Sequence, residues 1–279
     1  MRYLDLKEVT NAIYNLTIDA CYNINEELLD HLKSFREKEE NPLGKIVIDK
    51  IIENDLLARK EKMPLCQDTG VTVVFLEIGN DVHFDGDIYQ AINEGVRNAY
   101  IDGYLRKSVV IHPFHRINTM DNTPAIIHTK IVMGDHLKII VAPKGGGSEN
   151  ISLVKMLIPA DGIEGVKKLV LDTIFAAGGK PCPPIIVGIG IGGNLEKAAL
   201  LAKEALMRDL NDQSSDEIAA KLEKELLEEI NRLGVGPMGF GGRTTALAVK
   251  INVHPCHIAS LPVAINIQCH AARHKTMIL

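Results

Sequence analysis

The stretch Met63-Pro64-Leu65-Cys66-Gln67-Asp68-Thr69-Gly70 marks the point where a helical chain becomes one that carries strands. Pro64 stops the helix before it. Gly70 opens the run Val71 to Ile78, whose β-branched and apolar residues predict a strand. Between them, a thiol, an amide, a carboxylate and a hydroxyl stand on four consecutive residues, so polar groups converge on anything bound there. A loop around a buried structural cysteine is the plain alternative.

Upstream of this turn the pattern is helical. Leu6, Val9, Ala12, Ile13, Leu16 and Ala20 recur at helical spacing, as do Ile24, Leu28, Leu32 and Phe35. Arg36-Glu37-Lys38-Glu39-Glu40 reads as solvated surface, and Asn41-Pro42-Leu43-Gly44 as a break. A third helix then runs through Ile48, Ile51, Ile52 and Leu56. Residues 1–62 therefore form a helical N-terminal lobe within one domain spanning 1–279.

Downstream, Asp85-Gly86-Asp87 begins a helix that ends near Gly103-Tyr104-Leu105-Arg106. An arginine there is exposed, caps the last carbonyls, or serves a ligand carboxylate. Ala125 to Val132 and Leu137 to Ala142 read as strands joined in a hairpin by Met133-Gly134-Asp135-His136. Gly145-Gly146-Gly147 either sets bare backbone against a ligand or allows a sharp turn. A helix expected from Ile151 would offer N–H groups to an anion. Asp161-Gly162-Ile163-Glu164 resembles a capping box, with a helix following to Ala177.

Gly178-Gly179-Lys180-Pro181-Cys182-Pro183-Pro184 is a second unusual turn, where flanking prolines stiffen the cysteine. Ile185-Ile186-Val187 reads as a short strand. The run Gly188-Ile189-Gly190-Ile191-Gly192-Gly193 then fits G-x-G-x-x-G ahead of a helix. The fingerprint expects a second strand ending in an acid, and here another helix follows, through Leu222, Leu226 and Ile230. A tight turn near a site competes with a nucleotide loop. Gly234 to Gly242 is a third glycine-rich turn, before a strand over Ala246 to Ile251; Val253-His254-Pro255-Cys256-His257 reads as a polar turn. Ser260 to Ile267 is read as the last strand and delivers Gln268-Cys269-His270; Arg273, His274 and Lys275 make the tail basic. Strands, helices and a hairpin together predict a mixed α/β (α+β) fold, a helical layer packed on a mixed sheet of undetermined strand order.

The composition excludes several function classes. A net charge of −5 supplies no basic field for nucleic acid. Met1-Arg2-Tyr3-Leu4-Asp5 lacks a signal-peptide core, and no apolar run is long enough to cross a bilayer. The expectation is a cytoplasmic protein. Aromatics make up 4% of the chain and Trp is absent, so Ile, Leu, Val and Ala must build the core.

The five cysteines lack Cys-x-x-Cys spacing. Cys21 lies on an apolar helix face, and Cys256 in a polar turn. Cys66, Cys182 and Cys269 each sit in a constrained turn or at a strand end. Cys256, Cys269, His270 and His274 offer a zinc-like set, without the usual cysteine pair. Three separated thiolates suit an iron–sulfur cluster. A [4Fe–4S] cluster with only three cysteine ligands keeps one open iron, a Lewis acid, whereas an electron carrier normally has four ligands.

Pro64 to Gly70, Gly145-Gly146-Gly147-Ser148-Glu149-Asn150, Gly188 to Gly193 and Gly239-Phe240-Gly241-Gly242-Arg243-Thr244-Thr245, in this order, resemble the alpha subunit of the iron–sulfur (class I) fumarate hydratase and L-tartrate dehydratase family. The resemblance covers almost the whole chain. It implies a hydro-lyase that interconverts fumarate and L-malate, with L(+)-tartrate dehydration as the near alternative. A non-catalytic iron–sulfur carrier or sensor is a more distant one. It implies Cys66, Cys182 and Cys269 as cluster ligands, and Gln67, Asp68, Arg106 and the Gly145, Gly146 and Gly147 backbone as substrate contacts. Asp68 and His257 would have catalytic roles. It implies a beta subunit that supplies the base and further carboxylate-binding residues for a small dicarboxylate.

Overall fold

In the computed structural model, which describes residues 1–279, β1 (Arg2–Tyr3) leads into α1 (Leu6–Tyr22), α2 (Glu26–Lys38) and α3 (Pro42–Glu61). Next come β2 (Val71–Gly79), β3 (Val82–His83), α4 (Ile88–Asp102), β4 (Ile126–Val132) and β5 (Leu137–Lys144). The four-residue α5 (Gly146–Glu149) precedes β6 (Leu153–Leu157), α6 (Gly162–Ala177) and β7 (Ile185–Gly193). Then follow α7 (Leu195–Ala205), α8 (Glu217–Arg232), β8 (Ala246–Cys256), β9 (Leu261–Gln268) and β10 (Lys275–Ile278). The fold is mixed α/β, as its patterning predicts.

The chain, read above as one domain, falls into two compact units. One comprises Met1–Ile24, Asn54–Gly146 and Arg273–Leu279; the other comprises Asn25–Glu53 and Gly147–Ala272. The N-terminal helices do not form one lobe. α1 belongs to the first unit, and α2 with the start of α3 to the second.

The first unit holds a sheet of order β10-β5-β2-β4. β2 is its buried centre, antiparallel to β5 and parallel to β4. The hairpin expected between β4 and β5 is therefore absent. Val73, Val74, Phe75 and Leu76 are all buried, so β2 is apolar on both faces and takes the interior position, leaving β4 and β5 to flank it. The connecting loop instead crosses the end of β2, where Gly79 N donates to His136 O (2.9 Å) and Asp81 N to Gly134 O (3.0 Å). Asp5 and Asp87 cap α1 and α4 with their carboxylates. Val9, Ile13 and Leu16 of α1 meet Ile92, Val96 and Tyr100 of α4 over Val74, Leu76, Ile139 and Val141. The basic tail forms β10, an edge strand that the sequence reading left out.

The second unit holds a sheet of order β6-β9-β7-β8. The helix expected from Ile151 is replaced by β6, which pairs antiparallel with β9. Asp161 does not cap the helix forward; its carboxylate turns back to accept from Ile158 N (2.9 Å). The glycine motif is not a phosphate loop. Gly188 to Gly193 are the body of β7, paired with β8 and, over Gly188 to Ile191, with β9. A Cβ at Gly190 would lie 2.1 Å from the Ala198 carbonyl, and one at Gly188 2.3 Å from that of Ala202. The glycines let the alanine-rich face of α7 lie directly on the sheet. β8 continues through Cys256, so Val253 to Cys256 is strand rather than turn.

Glu39, read above as solvated, is buried. Its carboxylate accepts from the backbone N–H groups of Glu40, Asn41, Arg243 and Thr244, and so fastens the third glycine-rich loop to the α2–α3 junction.

Candidate active site

The turn after Pro64 is held by residues of the first unit. Leu65 N donates to Cys21 O (2.9 Å). Tyr100, fully buried on α4, donates its hydroxyl to Thr69 O and Gly70 O (2.9 and 3.0 Å), and Asn122 Nδ2 donates to Gly70 O (3.1 Å). Burial pushes the Tyr100 hydroxyl far up, so it stays a donor. Gly70 has φ +75°, and a Cβ there would lie 2.4 Å from the Lys144 carbonyl, so only glycine lets the end of β5 approach the turn.

This scaffold fixes the polar residues. Asp68 Oδ1 accepts from Gly70 N (3.0 Å) and Oδ2 from Gly146 N (2.8 Å). The Gly146 N–H of the glycine loop is thus given to Asp68 rather than left open at a helix start. A Cβ at Gly145 would lie 3.1 Å from Asp68 Oδ2, a tight contact that would press on the carboxylate. Thr69 Oγ1 donates to Arg106 O (3.0 Å), which ties Arg106, with its exposed side chain, to the same turn. Cys66 is partly exposed and Gln67 exposed beside it. Cys66, Gln67, Asp68, Arg106, Gly145 and Gly146 are therefore brought together within one unit.

In the second unit, Cys182 and Cys269 form a second group. Cys182 has φ +55°, a left-handed conformation that costs a non-glycine residue on the order of 1 kcal/mol. His270 N donates to Cys182 O (3.3 Å). Antiparallel β7 and β9 pair Ile186 with Gln268, which places the residues before β7 and after β9 at one end of the sheet. Gly147 lies near the same turn, its Cβ position 3.6 Å from Lys180 O.

His257 is elsewhere. It precedes β9 whereas Cys269 follows it, and that eight-residue strand spans roughly 26 Å at ~3.3 Å per residue. One chain does not bring His257 to Cys182 and Cys269. Instead, exposed His257 borders an apolar groove with Ile163, Ile218, Leu222 and Ile258. The zinc-like set fails for the same reason: Cys256, at the far end of β8, donates to Ser260 O (3.3 Å). Cys21 is fully buried and its thiol is pushed up to about 11 by burial, against the pull of the Arg273 charge, as befits a core residue.

The cysteines suit a thiolate-ligated cluster. Asp68 N donates to Cys66 Sγ (3.4 Å) and Gln268 Nε2 to Cys269 Sγ (3.7 Å), the N–H···S contacts that stabilise metal-bound thiolates. No group of three or more His, Cys, Asp or Glu side chains is gathered around one ion position in the chain. Cys66 stands in one unit and Cys182 and Cys269 in the other.

The sequence reading does not single out Tyr100 and Asn122, which support the turn, and it offers Arg273 only as a possible carboxylate clamp, whereas its Nη2 donates to the Asp68 carbonyl. Of the first two, only Tyr100 left a signal, as an aromatic on the inward face of α4 in a chain poor in aromatics.

Comparison with known proteins places the whole chain in a family. The family described as Fumarate hydratase (Fumerase) matches residues 10–278. A Methanocaldococcus jannaschii protein named "Putative L(+)-tartrate dehydratase subunit alpha" is 46% identical over 273 residues, covering 95% of each chain. The L(+)-tartrate dehydratase subunit alpha of Escherichia coli and that of Shigella sonnei are each 31% identical over 278 residues, covering 98% of this chain and 91% of theirs. The protein is thus of the hydro-lyase class. It belongs to the family of fumarate hydratase and L(+)-tartrate dehydratase alpha subunits.

Proposed function

We propose that this chain is the alpha subunit of a [4Fe–4S]-dependent hydro-lyase that interconverts L-malate and fumarate. Cys66, Cys182 and Cys269 would hold the cluster. One observation supports this most: the Asp68 carboxylate is fixed by Gly70 N and Gly146 N beside Cys66, with Arg106 tied to the same turn. When bound, the cluster supplies a Lewis acid for the substrate hydroxyl and a carboxylate.

The chain's own residues account for part of the remaining chemistry. The planar Arg106 guanidinium suits bidentate capture of a carboxylate. Gln67 offers an amide to the same ligand. Gly145, Gly146 and Gly147 present backbone without side chains. Asp68 holds or transfers the proton that leaves with the hydroxyl, its second oxygen kept in place by Gly146 N. No base for the carbon-bound proton is identified among these residues. The names of the relatives, each a subunit alpha, support a beta subunit that supplies the base and further carboxylate-binding groups.

Those names also favour a second reading, L(+)-tartrate dehydration, in which the substrate carries one more hydroxyl. Anaerobic assay of the chain with its beta partner on malate and on L(+)-tartrate separates the two. Faster dehydration of malate supports the first reading, and faster dehydration of tartrate replaces it with the second.

A further inference from the structure

Arg273 lies in the first unit, just before β10, and is 3% exposed. Its Nη2 donates to the Asp68 carbonyl, and the Gly145 Cβ position is 3.9 Å from that nitrogen. Its Nε and Nη1, both shut off from solvent, meet no acceptor. Its charge acts on Cys21 and Tyr100, neither of which is an anion while burial holds its proton in place. The Asp68 carboxylate gives its oxygens to Gly70 N and Gly146 N, so the buried guanidinium keeps two unpaired donors, at a cost of several kcal/mol. Such a group is tolerable in a core when an anion sits within its reach. A diffusing dicarboxylate would have to open the packing to meet Arg273, whereas a resident anionic group would not.

We propose that Arg273 is a positioning residue whose buried charge offsets the negative thiolate-ligated cluster at the Cys66 turn, with Nη2 holding that turn and Nε and Nη1 turned to the cluster. This rests on the cluster reading given above. A nearby positive charge favours the more negative, reduced cluster and so raises its potential. Arg273→Gln removes the charge, and Arg273→Lys keeps it.

The test uses the full chain loaded anaerobically with iron and sulfide. Arg273→Gln is expected to lower the midpoint potential, reducing the ratio of reduced to oxidised cluster at a fixed potential roughly tenfold, about 59 mV for one electron. Arg273→Lys should stay near the original value. A cluster bound at full iron content in Arg273→Gln, with an unchanged potential, would overturn the proposal. If Arg273→Gln does not fold, pulsed EPR of the reduced cluster in protein labelled with 15N-arginine decides. A nitrogen coupling present in the original chain and missing from Arg273→Lys supports the proposal, and no such coupling in the original chain overturns it. Failure of the original chain to take up iron and sulfide would instead remove the cluster reading itself, and the proposal with it.

Discussion

Asp68 carries two burdens, because the carboxylate that would handle a proton also holds the turn through Gly70 N and Gly146 N. Asn at this position keeps one acceptor oxygen and loses the other. Asp68→Asn should therefore retain iron and sulfide while turnover on malate falls by about 10²-fold or more. Full turnover with an intact cluster would remove Asp68 from the chemistry. The cysteines divide in the same way: Ser at Cys66, Cys182 or Cys269 should reduce bound iron, whereas Ser at exposed Cys256 should leave it unchanged. A different carboxylate reports on the fold. Asp55 is fully buried, with Oδ2 unpartnered, and burial raises it from 3.8 to about 6, against the pull of Asn54 and Arg59. A raised acid favours folding below its unfolded pKa, and that contribution is lost as pH rises through about 6. Asp55→Asn should raise the melting temperature at pH 8, by up to about 3 kcal/mol in stability, and gain little near pH 4. Equal changes at both pH values would contradict this.

At the scale of elements, two contacts carry much of the second unit. α7 rests on β7 through Gly188 and Gly190. Gly190→Ala would drive a methyl group against the Ala198 carbonyl and should cost about 3 kcal/mol or more, visible as a lower denaturation midpoint. Wild-type stability in that variant would mean that the helix does not sit where the structure puts it. Glu39 joins the α2–α3 junction to the loop before β8. Burial raises its carboxyl, but hydrogen bonds from Asn41, Thr244 and Arg243 outweigh this and hold it below its ordinary 4.5. A lowered acid contributes stability above its unfolded pKa, and loses it as pH falls through the folded value. Glu39→Gln should thus destabilise by about 2 kcal/mol at pH 7 and lose that effect in acid. Denaturant melts at the two pH values check the sign.

These elements also show what one sequence can reveal. Periodicity located α1, α4 and α8, because their buried positions recur at helical spacing. It could not tell a glycine-rich strand from a glycine-rich loop, since β7 needs glycine for α7 and not for φ at Gly188 or Gly190. Nor could it see that β2 would separate β4 from β5, because pairing partners are set by long-range burial. Glu39 looked solvated because a run of charges hides a single carboxylate that faces inward. In the candidate site, the Cys66 turn was legible as a cluster of polar residues. Its supports at Tyr100, Asn122 and Arg273 were not, because each reaches the turn from a remote part of the chain.

For the whole molecule, the decisive feature is a polar turn with a carboxylate, a cysteine and an arginine but no identified carbon base. No helix is long and apolar enough to cross a membrane. The relatives are each named a subunit alpha, and the proposed function assigns the missing groups to a beta subunit. The rate of malate dehydration, measured anaerobically for the iron- and sulfide-loaded chain alone and again after addition of its beta partner, tests this most directly. Little or no turnover is expected of the chain alone, and robust turnover of the pair. Robust turnover by the chain alone would contradict this.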